Sequence, residues 1–395
     1  MGIRSLILRW GALEQSPHVV ILANFLSAAG LGVTLLTVED AARPPALSQE
    51  VEWLSLGRAG IRGARKLFAL AGVAARARAL ARQRRPDFVH VIDSWTLPVP
   101  FMATLGQFQW SGPRFVYQTY DWLEPGLSSP IHRWYEKRAC RAASLVINVD
   151  RSRARLMQTL YGLKTTPFWL PNFPSKYAAA PPRDARLREE LLGRGGRYLV
   201  ICPSAASPGR LHLELLRAFL FLPETYRLVT FGSPGRYLDS CLDFARAEGL
   251  ETRIKFLDPV PYPTLEKYIA CADIGIVLND WKGSAGYWMA NSGRLVSLLA
   301  CGVPAVASDV PNLEALVYKW RLGTCCNAYD PRDIARAIHE VAEEGPGLEE
   351  RRRLIQEAVA RELHFERQGT LLVRTLEDLC RAPRRGLGGV NSCPP

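Results

Sequence analysis

The sequence predicts an α/β protein built from two Rossmann-like domains facing each other across a cleft. Three observations carry that prediction. Short apolar runs rich in β-branched and aromatic residues alternate with amphipathic stretches along the chain, the pattern of parallel sheets covered by helices on both faces. At 395 residues the chain is too long for one comfortable core. A proline-rich stretch at 171–182 separates two sets of the alternation and reads as a linker.

The first set of runs is SLILRW, GVTLLTV, DFVHVID, RFVYQTY and SLVINVD; the second is YLVICPS, RLVTFGS, IKFLDPV, IGIVLND and PAVASDV. Helical patterns fall between them, for instance at 128–143, 211–221 and 265–271. The segment 18–38 carries no charge, so a membrane span or signal peptide has to be weighed. Asn24, Ser27, Gly30, Gly32 and Thr34 interrupt it, and no basic region precedes a short apolar core. A buried helix over 19–29, a glycine turn and a buried strand over 33–38 explain it better. The expected domains are 1–175 and 176–375, followed by a flexible tail at 376–395. The closing RAPRRGLGGVNSCPP has too little apolar surface to fold.

Apolar residues make up 48% and charged residues 22%, ordinary for a globular protein. The nine cysteines have no metal-like spacing, and most sit in apolar runs; reduced thiols in a cytoplasmic protein are expected. The net charge of +12 is lopsided: up to Lys176 there are 22 Lys and Arg against 11 Asp and Glu. Between Glu52 and Asp87 lie nine basic residues and no acid. There, RKLFALAGVAARARALARQRR has helical spacing, with Leu67, Leu70, Val73, Ala77 and Leu80 on one face. Such a helix suits peripheral association with an anionic membrane; a solvated arginine face accounts for the same pattern. No aromatic-interleaved basic motif accompanies it, so nucleic acid is not an expected partner.

Open parallel sheets bind ligands at the carboxyl ends of their strands, which places a site in the cleft between the domains. Two segments there are built for an anion. In ANSGRLVSLLACGVPAVASD, a turn of small residues opens an apolar helix. Ser292 is positioned to cap it, Gly293 to let a ligand approach the backbone, and Arg294 to grip a phosphate in bidentate fashion. In SAASPGRLHLELL, Arg210 stands just before a helix in the same way. A third loop, in RLVTFGSPGRY, brings Gly232 directly after a strand. Ordinary strand–helix turns with exposed arginines account for each segment taken alone. No carboxylate or histidine cluster suggests a metal, and neither G-x-S-x-G nor G-K-[ST] occurs.

In their order along the chain, these segments resemble a family. WGALEQSPHVVILANFLSAAGLGVTLLTV, RPDFVHVIDSWTLP, WYEKRACRAASLVINVDRSRARLMQTLYG, WLPNFPS, RLVTFGSPGRY, RIKFLDPVPYPTLEKYIACADIGIVL and SGRLVSLLACGVPAVASD are similar to the successive motifs of GT-B glycosyltransferases. The family is the large retaining one (family 4-like) that includes sucrose synthases and bacterial mannosyltransferases. The resemblance implies transfer of a sugar from a nucleotide-diphosphate sugar to a hydroxyl of a glycan or lipid-linked acceptor, with no cofactor and no metal. The first domain would take the acceptor, with Gly11 and His18 lining its side, and the second the donor. Arg210, Gly232, Val260, Ser292, Gly293, Arg294 and Ser297 are the donor-binding residues it implies, with the base held by the loop 258–261.

The departures from the family pattern are specific. Its two glutamates, eight positions apart, fall here on Met289 and Ser297. A serine still accepts one hydrogen bond; a methionine does not replace a carboxylate. Some relatives carry S-N-K at the helix mouth, and Ser292-Gly293-Arg294 fits that variant. Where many relatives have a histidine and an acid, VYQTYDW puts Tyr120 and Asp121, the candidate catalytic pair. Tyr120 packed in the core and Asp121 capping a turn would explain them as well. His18 and His90 occupy family-like positions, although a lone histidine beside a strand end is more often structural. A degenerate protein that binds sugar nucleotides or partners an active transferase is the alternative reading.

Overall fold

The computed structural model describes residues 2–38, 42–57, 64–121, 123–178, 180–289, 292–344 and 347–383. Its first sheet is built from β1 (Arg4–Trp10), β2 (Gly32–Val38), β3 (Glu52–Ser55), β4 (Phe88–Ile92), β5 (Arg114–Thr119), β6 (Leu145–Asn148) and β7 (Phe168–Trp169). Its second comprises β8 (Tyr198–Ala205), β9 (Tyr226–Phe231), β10 (Ile254–Leu257), β11 (Ile274–Val277), β12 (Ala305–Ser308) and β13 (Gly323–Cys326). The strand orders are β3-β2-β1-β4-β5-β6-β7 and β10-β9-β8-β11-β12-β13, and every pairing is parallel. β4, β11 and β12 are buried at every position, which is why their sequences run apolar without alternating.

The ten apolar runs all form strands, and β3, β7 and β13 are additional. Strand order reverses between β1 and β4 in the first sheet and between β8 and β11 in the second. Chains leaving such neighbours diverge and open a crevice. The helix Gly293–Ala300 is seated on the second sheet at very short range. A Cβ on Gly275 in β11 would lie 2.2 Å from the Leu298 side chain, so a residue without one sets the depth at which that helix packs. Leu295, Leu298 and Leu299 fill the core beneath it.

The linker changes allegiance within three residues: Leu170 packs into the first domain's core and Phe173 into the second's. Asp184 then caps the next helix, Ala185–Leu192, by accepting from the amides of Arg186 and Leu187. The expected carboxy-terminal boundary is corrected by the last helix, Phe365–Arg381. It crosses back to the first domain, where Phe365, Leu372 and Leu376 join its core and the Phe25 and Phe365 rings sit 5.5 Å apart. Residues from Phe365 therefore pack with the first domain, and 376–381 are helix rather than tail. The physical cause is the apolar face of the helix Pro17–Ala28, which this amphipathic helix covers. The rest of the expected tail, from 384, lies outside the described residues.

The basic segment forms the helix Ala64–Arg84. Leu70, Val73, Ala77 and Leu80 are buried as their spacing predicts, while Arg76, Arg78 and Arg82 are exposed. Arg62 and the Leu67 side chain lie outside the described residues. Among the described residues no helix is long and apolar enough to cross a membrane.

Candidate active site

The residues expected to bind the donor gather at the second sheet's crevice. Arg210 follows β8 and Asn279 follows β11, the two strands that part there. Arg210 Nη1 donates to Asn279 Oδ1 at 3.0 Å, and its guanidinium lies 5.0 Å over the Tyr287 ring. From the helix Gly293–Ala300, Arg294 Nη2 donates to the same Asn279 Oδ1 and to the Leu278 carbonyl, both at 2.6 Å. Two guanidiniums thus converge on one amide oxygen.

That cluster holds more donors than acceptors. Arg294 Nε and Nη1 and Asn279 Nδ2 are buried with no hydrogen-bond partner among the described residues. Burial, then the neighbouring Arg210, lowers the Arg294 guanidinium to about 10, against the opposing pull of Cys202. Below it, Cys202 Sγ stands 3.6 Å from His212 Nε2. Burial pushes that thiol up, but His212 and then Arg294 bring it down to about 6. Three unpartnered nitrogens leave this cluster with more donors than acceptors.

Several expectations for this side need correction. Arg294 is buried and turned inward onto Leu278 and Asn279, because its helix starts flush against β11; Arg210, half-buried, is the more accessible cation. Arg210 itself ends a 3-10 turn, Pro208–Arg210, and left-handed Leu211 separates that turn from the helix, so Arg210 does not stand at a helix mouth. Ser292 precedes that helix without making a side-chain cap bond. Gly293 is exposed and a Cβ there would meet nothing. Gly232 serves packing: its amide donates to the Leu257 carbonyl and a Cβ would lie 2.8 Å from Leu238.

Ser297 Oγ donates to the Gly293 carbonyl at 3.2 Å and lies 3.1 Å from the Tyr262 hydroxyl, so it is already engaged. Val260 is half-buried against the second core, at the end of the exposed loop 258–261. Ala290 and Asn291, the start of the expected turn, lie outside the described residues.

On the side expected to take the acceptor, Gly11 follows β1 with φ +127°, a conformation that favours glycine. Beside it Arg9 pairs with Asp93 and donates to Ser16 Oγ at 3.1 Å. The His18 ring lies 3.9 Å from the Tyr120 ring. Burial and Arg9 lower its imidazole to about 3, so it is neutral at ordinary pH. Its Nε2 is buried with no partner among the described residues. The Tyr120 hydroxyl accepts from Gln118 Nε2 at 2.8 Å. His90 is buried in β4 and structural. Asp121 is exposed on a loop, and the carboxylate that reaches across the cleft is instead Glu124, three residues later.

Glu124 meets the turn at 284–286 that opens the second domain's short helix Ala285–Trp288. Its Oε2 accepts from Ser284 Oγ at 2.6 Å and from the Gly286 amide at 3.1 Å, and its Oε1 from the Ala285 amide at 2.9 Å. Burial alone would raise this carboxyl, but those three donors and Arg153 hold it below the usual range. Arg153 ties the same loop by donating to the Gly286 carbonyl and, from its other amino group, to the Tyr120 carbonyl, each at 2.9 Å. Nothing local in the sequence marks Glu124, Arg153 or Asn279 for these contacts, since Ser284, Gly286 and Arg210 are remote from them along the chain.

With this geometry in view, comparison with known proteins is direct. Residues 15–173 match the model described as Glycosyltransferase Family 4, and 184–361 match Glycosyl transferases group 1. The gap between the two is the linker. Together they make the chain a family-4-like glycosyltransferase. No curated protein matches it by sequence.

Solved structures share the GT-B fold at low identity. Sucrose-phosphate synthase from Thermosynechococcus elongatus matches with a TM-score of 0.75 at 17% identity, covering 96% of this chain and 100% of that one. Anabaena HepE in complex with UDP and glucose matches at 0.73 and 18%, covering 95% and 100%. The catalytic domain of Arabidopsis thaliana starch synthase IV, bound to ADP and acarbose, matches at 0.72 and 12%, covering 97% and 100%. The chain is thus a glycosyltransferase with the GT-B fold.

Proposed function

We propose that this glycosyltransferase moves a hexose from a nucleotide-diphosphate sugar to a hydroxyl of a glycan or lipid-linked acceptor, with retention and without a metal. One observation carries the reading: Arg210 and Arg294 converge on Asn279 with buried donors left over. A diphosphate leaving group develops charge as its bond to the sugar breaks, and preorganised cations stabilise that charge where it forms. Two guanidiniums supply the neutralisation a metal would otherwise give. Retention requires the acceptor oxygen to bond the anomeric carbon on the face the diphosphate leaves. The hydroxyl proton then passes to the departing phosphate oxygen, which suits a site whose usual glutamate is Met289.

A surface patch supports an acceptor presented at a membrane. Trp95 is 60% exposed, Leu127 66%, Ile131 65% and Trp134 50%, and they follow β4 and β5 on the cleft side. Arg138 lies 5.4 Å over the Trp134 ring. The sole acid of the helix Pro130–Ala142 is Glu136, which is buried. Exposed tryptophan beside unopposed arginine is the composition of an interfacial surface, each basic residue contributing roughly 1 kcal/mol near anionic lipid. All eight cysteines of the described residues are free, which suits the reducing, cytoplasmic face.

The test is a thermal melt with UDP, GDP, ADP or dTDP, wild type beside Arg210→Ala and Arg294→Ala. A nucleotide at 100 times its Kd stabilises by roughly 2.7 kcal/mol. One nucleotide should shift the wild type and neither variant, and its sugar donors should then turn over with release of that diphosphate. No shift with any of the four would sink the diphosphate clamp and return the degenerate alternative.

A further inference from the structure

We infer that Glu124 is a positioning residue of the donor site, supplied by the opposite domain: it clasps the loop at 284–286 and so holds Tyr287 against Arg210. The inference rests on the reading above that Arg210 and Arg294 receive the diphosphate.

The contacts form one continuous path. Glu124 takes two amides and a hydroxyl from Ser284, Ala285 and Gly286. The next residue, Tyr287, lies under the Arg210 guanidinium at 5.0 Å, and Arg210 donates to Asn279, the oxygen Arg294 shares. The far end of the loop is held from the first domain too. Ser152 Oγ stands 3.1 Å from Asn312 Oδ1, and Asn312 Nδ2 donates to the Met289 carbonyl. One end of the segment is therefore bonded to the first domain directly and the other through Asn312.

Gly286 makes the approach possible. A Cβ there would lie 3.2 Å from Ser284 Oγ, 3.5 Å from Glu124 Oε2 and 3.8 Å from Arg153 Nη2. The carboxylate and guanidinium thus both reach the backbone of Gly286. Hydrogen bonds to a charged group are the stronger kind, and these are made only while the cleft is closed. In open domains Glu124 loses all three, Tyr287 is unheld, and Arg210 is free to leave Asn279. The sequence departs from the family at Met289, within this same segment, so the carboxylate that organises it comes from across the cleft.

Two measurements on the full chain test this together. Small-angle scattering of wild type, Glu124→Ala and Glu124→Gln reads domain closure whether or not any nucleotide binds. Glu124→Ala should have the larger radius of gyration, with Glu124→Gln between. An unchanged radius overturns the clasp. Circular dichroism confirms that both variants are folded, and the milder Glu124→Gln keeps the inference testable if Glu124→Ala is not.

Calorimetric titration with UDP, GDP, ADP and dTDP reads the coupling. Glu124→Ala should weaken the bound nucleotide about tenfold, and Arg210→Ala added to it should cost much less than in wild type, since coupled residues are not additive. Additive losses, or a gain in affinity that makes Glu124 a plug displaced by ligand, overturn the inference. If wild type binds none of the four, the diphosphate reading fails, and scattering alone judges the clasp.

Discussion

Arg210 and Arg294 donate to one and the same oxygen, Asn279 Oδ1, at 3.0 and 2.6 Å. Two like charges are held together by a neutral acceptor that satisfies only part of either. Arg294 is buried with two nitrogens unpartnered, an arrangement that costs stability.

Replacing that acceptor by a built-in anion should separate folding from binding. Asn279→Asp places a carboxylate between both arginines, so the variant should melt higher, by about 1.5–3 kcal/mol in unfolding free energy for hydrogen bonds to a charged group. The nucleotide-induced shift should disappear, because the counter-ion position is filled. A melt with and without nucleotide checks both; a variant that still responds to nucleotide would refute the arrangement.

A second outcome concerns pH. Glu136 is buried among hydroxyls of Tyr117 and Tyr161 at 2.8 and 2.5 Å, and burial, against those two bonds, pushes its carboxyl up to about 7. Unfolded, it titrates near 4.5. With the folded value raised, its contribution is complete below about 4.5 and lost as pH rises through 7. The loss amounts to about 3 kcal/mol. His18 and His90, held down to about 3 and 4, act in the opposite sense, so the comparison must be with Glu136→Gln. Between pH 4.5 and 7, denaturant titrations should show wild type losing stability relative to that variant; parallel profiles would rule this out.

The interfacial patch makes a third prediction. Trp134→Ser with Arg138→Ser removes an exposed aromatic and its stacked cation. Co-sedimentation with vesicles containing anionic lipid should fall about tenfold, at roughly 1 kcal/mol for the charge and a further loss for the ring. Retention on neutral vesicles should be weak for both proteins. Equal sedimentation of variant and wild type on anionic vesicles would remove the patch from the docking surface.

Much of the fold was legible because burial on both faces is a local property. Runs such as FVHVI and AVAS must be apolar throughout to lie inside a parallel sheet. The three strands that escaped notice lack that signal. β3 (Glu52–Ser55) is a half-buried edge, β7 is two residues long, and β13 (Gly323–Cys326) is made of glycine, threonine and cysteine. The last helix was misassigned since amphipathic spacing at 365–381 states that one face is covered, not which domain covers it.

The site divides along the same line. Arg210 and Arg294 were readable because each stands in a strand–turn–helix segment, a neighbourhood the chain carries with it. Asn279 was not, lying 69 residues from Arg210, and Glu124 was not, lying 160 residues from Ser284. By itself the sequence determined two parallel sheets, their order along the chain and the cations at the second crevice, since periodicity and turn chemistry act over a few residues. Tertiary structure alone decided that Arg294 faces inward, that Asn279 joins the arginines, and that Glu124 rather than Asp121 crosses the cleft. Those depend on how deeply a helix sits on its sheet and how two domains meet, and distances of that kind are set by packing.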